Sequence, residues 1–78
     1  MVLIDNTKYG DGMRVEIMLR EKRKERNMSL RELSRTCGVS ISHLSDIETN
    51  KSSATIITLV KIAKALDTDI ESLIKIFW

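Results

Sequence analysis

The chain has 78 residues, and its 13 basic and 11 acidic side chains leave a net charge of +2 at pH 7. This length allows one domain with a small core, which oligomerisation would help to stabilise, and the weak positive charge does not by itself indicate a polyanionic partner. A single cysteine excludes an internal disulfide, and no run is apolar and long enough to span a membrane or resemble a signal peptide, so we expect a cytoplasmic protein.

Residues 1–12 are expected to form an N-terminal arm. The apolar run Val2–Ile4 is followed by acidic, amide and glycine residues that interrupt regular structure. The arm could contact a partner molecule, although a frayed terminus is the favoured interpretation. Pairing of Val2–Ile4 with Ile74–Phe77 in a short terminal sheet is a further alternative.

A helix is predicted over residues 13–26, because Val15 and Leu19 are four residues apart on one stripe. Arg23 continues this stripe. A guanidinium that points inward needs an acidic partner, since an unpaired buried charge is costly, and Glu48 is the candidate. The alternative is that Arg23 belongs to a solvated run of charged residues.

Ser29 begins the next predicted helix. With Glu32 three residues later it forms a capping box, which satisfies two backbone donors at the helix start. The inward stripe of this helix consists of Leu33, Ser34 and Cys37. Ser34 is small enough for a close helix crossing, and Cys37 is interpreted as a small buried hydrophobe rather than a redox switch.

Gly38 ends that helix at a position where a left-handed residue is needed. Ser40 can then cap a second helix, in which Leu44 and Ile47 lie three residues apart and face the core. Two short helices around one glycine predict a helix-turn-helix over Ser29–Glu48.

The polar residues 49–54 form a loop before the next helix, whose inward stripe is predicted to be Ile56, Leu59, Val60, Ala63 and Leu66. Thr68 or Asp69 can cap a last helix, which carries Ile70, Leu73 and Ile74. The chain ends in an apolar segment, and exposed apolar patches usually mark contact surfaces.

At these residues the sequence resembles the phage repressor and Cro-like (XRE) helix-turn-helix family of DNA-binding domains. The resemblance runs from about Val15 to Ile74 and includes Ile47–Lys51, Leu59–Leu66 and Ile70–Leu73. The controller proteins of restriction-modification systems are similar in a weaker way. The resemblance implies an all-α, compact five-helix, lambda-repressor-like domain over residues 13–74, between the arm and an apolar tail at 75–78, with short terminal strands as an option.

Base contacts are expected from the outward face of the second motif helix. Helical periodicity places Ser42, Ser45 and Asp46 on that face, and the resemblance assigns base contacts to Ile41, Ser42 and Asp46. Ile41 could pack on a thymine methyl, Ser42 could donate or accept, and Asp46 could accept from a cytosine amino group. Ordinary helix surface is the alternative for these residues.

Contacts to the DNA backbone are expected at both ends of the motif. The amides of the helix capped by Ser29 form a phosphate site, and His43 lies next to the base-contacting face. Further donors follow in the loop, namely Thr49, Asn50, Lys51, Ser52 and Ser53. A solvated loop is the alternative for the two serines.

The resemblance also implies one ion pair, and the chain departs from the family pattern at two positions. An arginine and a glutamate at the positions of Arg23 and Glu48 form a buried ion pair in the family. Many members have a phosphate-binding glutamine where this chain has Leu30, and Arg or Lys where it has Asp46. We therefore expect weak DNA affinity for each monomer.

The resulting hypothesis is a sequence-specific regulator of transcription that binds a palindromic operator in double-stranded DNA as a homodimer. Ile74, Phe77 and Trp78 are the expected dimer contacts. The rival hypothesis is a protein-interaction or antitoxin-like module that keeps the fold with weak or no base contacts. No catalytic constellation or cofactor motif is present, and His43 with Cys37 supplies too few ligands for a metal site, so we expect neither an enzyme nor a small-molecule receptor.

Overall fold

The computed structural model describes residues 3–4, 8–9, 13–49 and 51–77, the first two pairs by their backbone alone, and it contains helices and short strands. The elements of this part of the chain are β1 (Leu3–Ile4), β2 (Lys8–Tyr9), β3 (Met13–Ile17), α1 (Leu19–Glu25), α2 (Leu30–Cys37), α3 (Ile41–Glu48), β4 (Ala54–Thr55), α4 (Ile56–Ala65), α5 (Ile70–Leu73) and β5 (Ile74–Phe77). Five helices were expected and are present, but the strands make an all-α description only approximate.

The largest departure from the sequence prediction lies at β3, which was expected to be the beginning of the first helix. Met13, Val15 and Ile17 alternate with Arg14 and Glu16, and a period of two is typical of a strand. Val15 and Ile17 are also β-branched, which favours extended backbone. Helix α1 therefore starts only at Leu19, which is fully buried.

Two small antiparallel sheets connect distant parts of the chain. Strand β3 is central in the first sheet, between β2 and β5, and Ile17 lies opposite Ile74. The second sheet pairs β1 with β4, so that Leu3 lies opposite Thr55. The alternative in which Val2–Ile4 would pair with Ile74–Phe77 is wrong for the described residues, because each end of the chain pairs with a different internal strand.

The core lies between the helices. Its fully buried large side chains are Leu19, Leu33, Leu44, Ile47, Leu59, Ile62, Leu66 and Leu73. On α4 and at its C-cap, Leu59, Ala63 and Leu66 are buried as predicted, whereas Ile56 and Val60 are 39% and 48% exposed. With about 100° of rotation per residue, Val60 lies a quarter-turn away from Leu59, and Ile62 takes the inward position instead.

The last helix begins at a side-chain cap. Asp69, rather than Thr68, provides it, because a carboxylate oxygen of Asp69 accepts a hydrogen bond from the Ser72 amide at 2.8 Å. This bond, and to a smaller extent the positive charge of Lys22, keep the pKa of Asp69 below its usual value. Helix α5 ends at Leu73, so Ile74 is the first residue of β5 and not part of the helix.

Candidate nucleic-acid interface

The start of α2 leaves two backbone donors without a partner in the described part of the chain. The predicted capping box is confirmed: Ser29 Oγ accepts from the Glu32 amide at 3.1 Å, and Glu32 Oε1 accepts from the Ser29 amide at 3.3 Å. The amides of Leu30 and Arg31 lie between these two bonds and form none of their own. They are available for an anion at the positive end of the helix dipole.

Arg31 is a residue that the sequence analysis did not select. Its side chain is exposed in the first turn of α2, and Arg35 is exposed one turn later. Neither forms an ion pair within the described residues. The spacing of four residues between two arginines on a predicted helix, just after the cap, was the available signal.

The turn between α2 and α3 is held by local hydrogen bonds. Gly38 has φ of +76°, which confirms the predicted left-handed position, and its amide donates to the Ser34 carbonyl at 2.9 Å. Ser34 Oγ donates to the carbonyl of Val39 at 2.6 Å. Cys37 is partly buried against the core. The small side chain of Ser34 thus links the end of α2 to the turn.

Helix α3 is fixed at its start and on its inner side. Ser40 caps it as predicted, because its Oγ accepts from the His43 amide at 3.1 Å. Leu44 and Ile47 are buried, which confirms the inward face. Only the outer face of α3 is therefore free to contact another molecule.

The residues proposed for base contacts differ in their exposure. Ile41 is 42% exposed and Ser42 is also exposed, whereas Ser45 and Asp46 are half-buried. Thr49 is exposed, but its hydroxyl donates to the Ser45 carbonyl at 2.8 Å and so turns back toward the helix. Within α3, the exposed residues are therefore those of the first turn, Ile41 and Ser42.

Glu48, the last residue of α3, forms an ion pair with Arg23 of α1. Glu48 Oε1 accepts from the guanidinium at 2.8 and 3.2 Å, and a third guanidinium nitrogen donates to the Met28 carbonyl at 3.0 Å. The side chains of Arg23 and Glu48 are only 15% and 9% exposed. This pair attaches the end of α3 to α1 and to the backbone that leads into α2.

The loop after α3 contains one basic residue and two serines. Lys51 is exposed, and its amide donates to the Asp46 carbonyl at 2.8 Å. Ser52 and Ser53 are half-buried, and Ser52 Oγ donates to the Ser53 carbonyl at 3.2 Å. Asn50 lies outside the described residues. The pairing of β1 with β4 holds the far end of this loop.

Two of the three predicted dimer contacts already have partners within the chain. Ile74 packs against the core, and the ring of Phe77 lies under Arg14 and Lys75, whose charged groups are 4.6 and 5.2 Å from its centre. Trp78 lies outside the described residues. A dimer contact at these residues stays a prediction.

Two other kinds of feature do not occur in the described parts of the chain. Among residues 3–4, 8–9, 13–49 and 51–77, no three histidine, cysteine or acidic side chains come together as a metal site would require. Over the same residues, none of the helices has the length and hydropathy of a membrane span.

The geometry of α2, the glycine turn and α3 defines a helix-turn-helix domain. A family model described as helix-turn-helix (HTH_3) matches residues 19–73, from the start of α1 to the end of α5. The chain belongs to this family, which is of the XRE type that the sequence resembles.

Similar proteins come from a phage and from bacteria. The chain is 32% identical over 63 residues to the ImmF control region 10 kDa protein of Bacillus phage phi105, which covers 81% of this chain and 70% of that protein. It also matches the master regulator for biofilm formation SinR of Bacillus subtilis, in a structure with DNA, at 38% identity and a TM-score of 0.68, over 70% of this chain and 89% of that one.

Two further solved structures are similar to this chain. The restriction-modification controller protein C.AhdI from Aeromonas hydrophila is 27% identical, with a TM-score of 0.70 over 72% of this chain and 85% of that one. An HTH_3 family transcriptional regulator from Vibrio cholerae is 39% identical with a TM-score of 0.70 over 72% of this chain. The match spans only 32% of the Vibrio protein, so this chain corresponds to about a third of that regulator.

Proposed function

We propose that the chain is a transcription regulator of the cytoplasm that binds double-stranded DNA sequence-specifically, as a homodimer on a palindromic operator. The main support is the way α3 is held. Its inner side is packed into the core, its end is attached through Glu48, and its exposed first turn carries Ile41 and Ser42. A rigid helix with one exposed polar face suits insertion into a major groove.

Phosphate contacts position this helix. The unpaired amides of Leu30 and Arg31 bind one phosphate, and the Arg31 side chain adds a charge beside them. These amides take the place of the side-chain contact that Leu30 cannot make. Lys51 and the hydroxyls of Ser52 and Ser53 contact the backbone on the other side of α3, with Thr49, Asn50 and His43 as further contacts.

Base contacts come mainly from the first turn of α3. Ile41 packs against a thymine methyl group and Ser42 forms a hydrogen bond to a base edge. Ser45 and Asp46 lie deeper and contact only bases that approach closely, with Asp46 accepting from a cytosine amino group. No lysine or arginine lies on α3, so each monomer binds weakly and two half-sites about 34 Å apart are needed.

The test is selection of bound duplexes from a random pool, followed by fluorescence anisotropy on the selected and a shuffled duplex over a salt series. We expect a palindromic sequence, at least 100-fold preference at physiological salt, and a logarithmic salt slope that reports several phosphate contacts. Equal binding of selected and shuffled duplexes would refute sequence-specific recognition.

Single substitutions test which residues contact the DNA backbone and which contact the bases. Arg31→Ala should weaken binding to all duplexes about equally and reduce the salt slope by about 1, whereas Ser42→Ala should change the preference at one base position. Lys24→Ala is a matched control for charge, because Lys24 is exposed on α1 and forms no ion pair within the described residues. It should leave affinity nearly unchanged.

A protein-interaction or antitoxin-like module is the second candidate. The observation that favours it is the charge of α3, which carries Asp46 and Glu48 and no lysine or arginine. In that case the chain would form a stable complex with a different protein, and selection would return no preferred duplex. Mass spectrometry of the native complex after purification from its source cells distinguishes the two functions.

A further inference from the structure

One side of α4 exposes three large aliphatic side chains. Ile56, Ile57 and Val60 are 39%, 54% and 48% exposed. We call these three residues the α4 apolar surface. Single exposed aliphatic residues are ordinary, but a contiguous group on one helix usually marks a contact surface.

A shallow hollow continues this surface toward α5. It is lined by residues of α4, of the connection to α5 and of the start of α5, including Val60, Ala63, Lys64, Asp67 and Ile70. Ala63 is almost fully buried and, as a small residue, leaves room above it. The projecting Ile57 and the hollow are therefore neighbours on one face of the helix, separated by Val60.

This arrangement is complementary to itself. If two α4 helices cross antiparallel with a two-fold axis near Val60, Ile57 of one copy lies opposite Ala63 of the other, and the reverse contact is identical. Ile56 then lies opposite Lys64, whose aliphatic stem can cover it while its charge stays in water. The same face thus provides both the projecting group and the space that receives it.

We infer that the α4 apolar surface is where a second copy of this chain binds, rather than the C-terminal strand. This interface rests on the proposed homodimeric function. The length of the connection limits how far α3 can lie from the interface. Seven residues, 49–55, connect α3 to α4, so the end of α3 lies at most about 25 Å from the start of α4. Half-sites 34 Å apart place each α3 about 17 Å from the two-fold axis, which is within this reach.

One helix pair covers less area than the roughly 1,200–2,000 Å² of standard protein interfaces. The dimer is therefore weak in free solution, and binding to two half-sites on one duplex reinforces it. Such a dimer dissociates on dilution, so its association is measured over a range of protein concentrations.

The experiment compares Ile57→Glu with Ile76→Glu by sedimentation equilibrium of the full chain without DNA. Ile76 is the matched control because it is 49% exposed, receives the same substitution and lies on β5. We expect Ile57→Glu to weaken self-association at least tenfold and Ile76→Glu to leave it unchanged. Ile57→Ser, with circular dichroism of every variant, separates loss of association from loss of folding.

Self-association that is weakened by Ile76→Glu but not by Ile57→Glu would overturn the inference. A wild-type chain that remains monomeric at all concentrations would do the same. Anisotropy on the selected palindrome and on a single half-site completes the test. Ile57→Glu should lose at least tenfold affinity for the palindrome and none for the half-site. If the wild type dimerises through α4 but binds no preferred duplex, the interface stands and the proposed function fails.

Discussion

Removal of the carboxylate of Glu48 should destabilise the domain far more than loss of an ordinary surface charge. In Glu48→Leu the guanidinium of Arg23 keeps its bond to the Met28 carbonyl but loses two bonds to Oε1 and its counter-charge. Because this guanidinium is only 15% exposed, water replaces little of what is lost. Breaking a buried pair on one side costs about 3–5 kcal/mol, and the remaining bond and exposure reduce this to about 2–4 kcal/mol.

Such a loss is large for a small domain. A chain of this length has a free energy of unfolding of about 4–12 kcal/mol, and each 1 kcal/mol shifts Tm by roughly 4–8 °C. We therefore expect Glu48→Leu to lower Tm by on the order of 15 °C. Urea and thermal unfolding followed by circular dichroism measure both quantities.

A double-mutant cycle isolates the pair. The combination of Arg23→Met with Glu48→Leu should be more stable than Glu48→Leu alone, because it leaves no unpaired charge, and the coupling free energy should exceed about 1.5 kcal/mol. The pair between Arg14 and Glu16 is the comparison. It is shorter, at 2.6 Å, but its side chains are 47% and 32% exposed, so its coupling should stay below about 1 kcal/mol.

The two cycles decide whether burial or distance determines the coupling free energy of an ion pair. Equal coupling free energies in both pairs, or a stronger coupling in the shorter exposed pair, would refute the reasoning. A loss below about 1 kcal/mol in Glu48→Leu would do the same, because it would show that water reaches the freed guanidinium of Arg23.

Three other substitutions test the motif and its surroundings. Gly38→Ala should cost about 1 kcal/mol in urea unfolding through backbone strain alone, since φ is +76° and a new Cβ meets no atom within 4 Å; an unchanged midpoint would contradict this. Leu44→Ala should cost about 2–5 kcal/mol in the same assay, against less than about 0.5 kcal/mol for the 42%-exposed control Ile41→Ala. The carboxylate of Asp69 has a lowered pKa because it accepts a hydrogen bond from the Ser72 amide, so its stabilising effect is complete above the unfolded pKa of about 3.9 and is lost as pH falls through the folded pKa. The difference in stability between wild type and Asp69→Asn should therefore be present at pH 7 and shrink in acid, and a difference that stays constant with pH would exclude this cap charge.

Local signals predicted the motif well and the sheet poorly. Ser29, Gly38 and Ser40 act through neighbours three or four residues away, so the sequence alone contains the interactions that fix them. Strand β3 is instead held by partners on both sides, β2 and, from the other end of the chain, β5. The spacing of Val15 and Leu19 fits a helix, and the alternation that favours a strand is short.

In the candidate site, too, some features follow from the local sequence and others depend on distant parts of the chain. Which residues of α3 face inward follows from helical periodicity, and Leu44 and Ile47 are buried as predicted. How far each outer residue projects depends on neighbouring elements, and this leaves Asp46 half-buried while Ile41 projects. The exposure of Val60 was missed for a related reason, because an aliphatic residue on the flank of a stripe has the same sequence signal as one at its centre.

The antiparallel pairing of β3 with β5 also affects how the chain folds. It joins residues on the order of 60 positions apart, whereas the caps and the glycine turn join close neighbours. Closing so long a loop has a large entropic cost, so the helix-turn-helix should form before the sheet. The same pairing places Arg14 opposite Phe77, so a short linker in place of residues 1–12 could join the end of β5 directly to the start of β3. New termini at the exposed Asp67 would then give a circular permutant without β1 and β2, in which this ladder becomes a local hairpin.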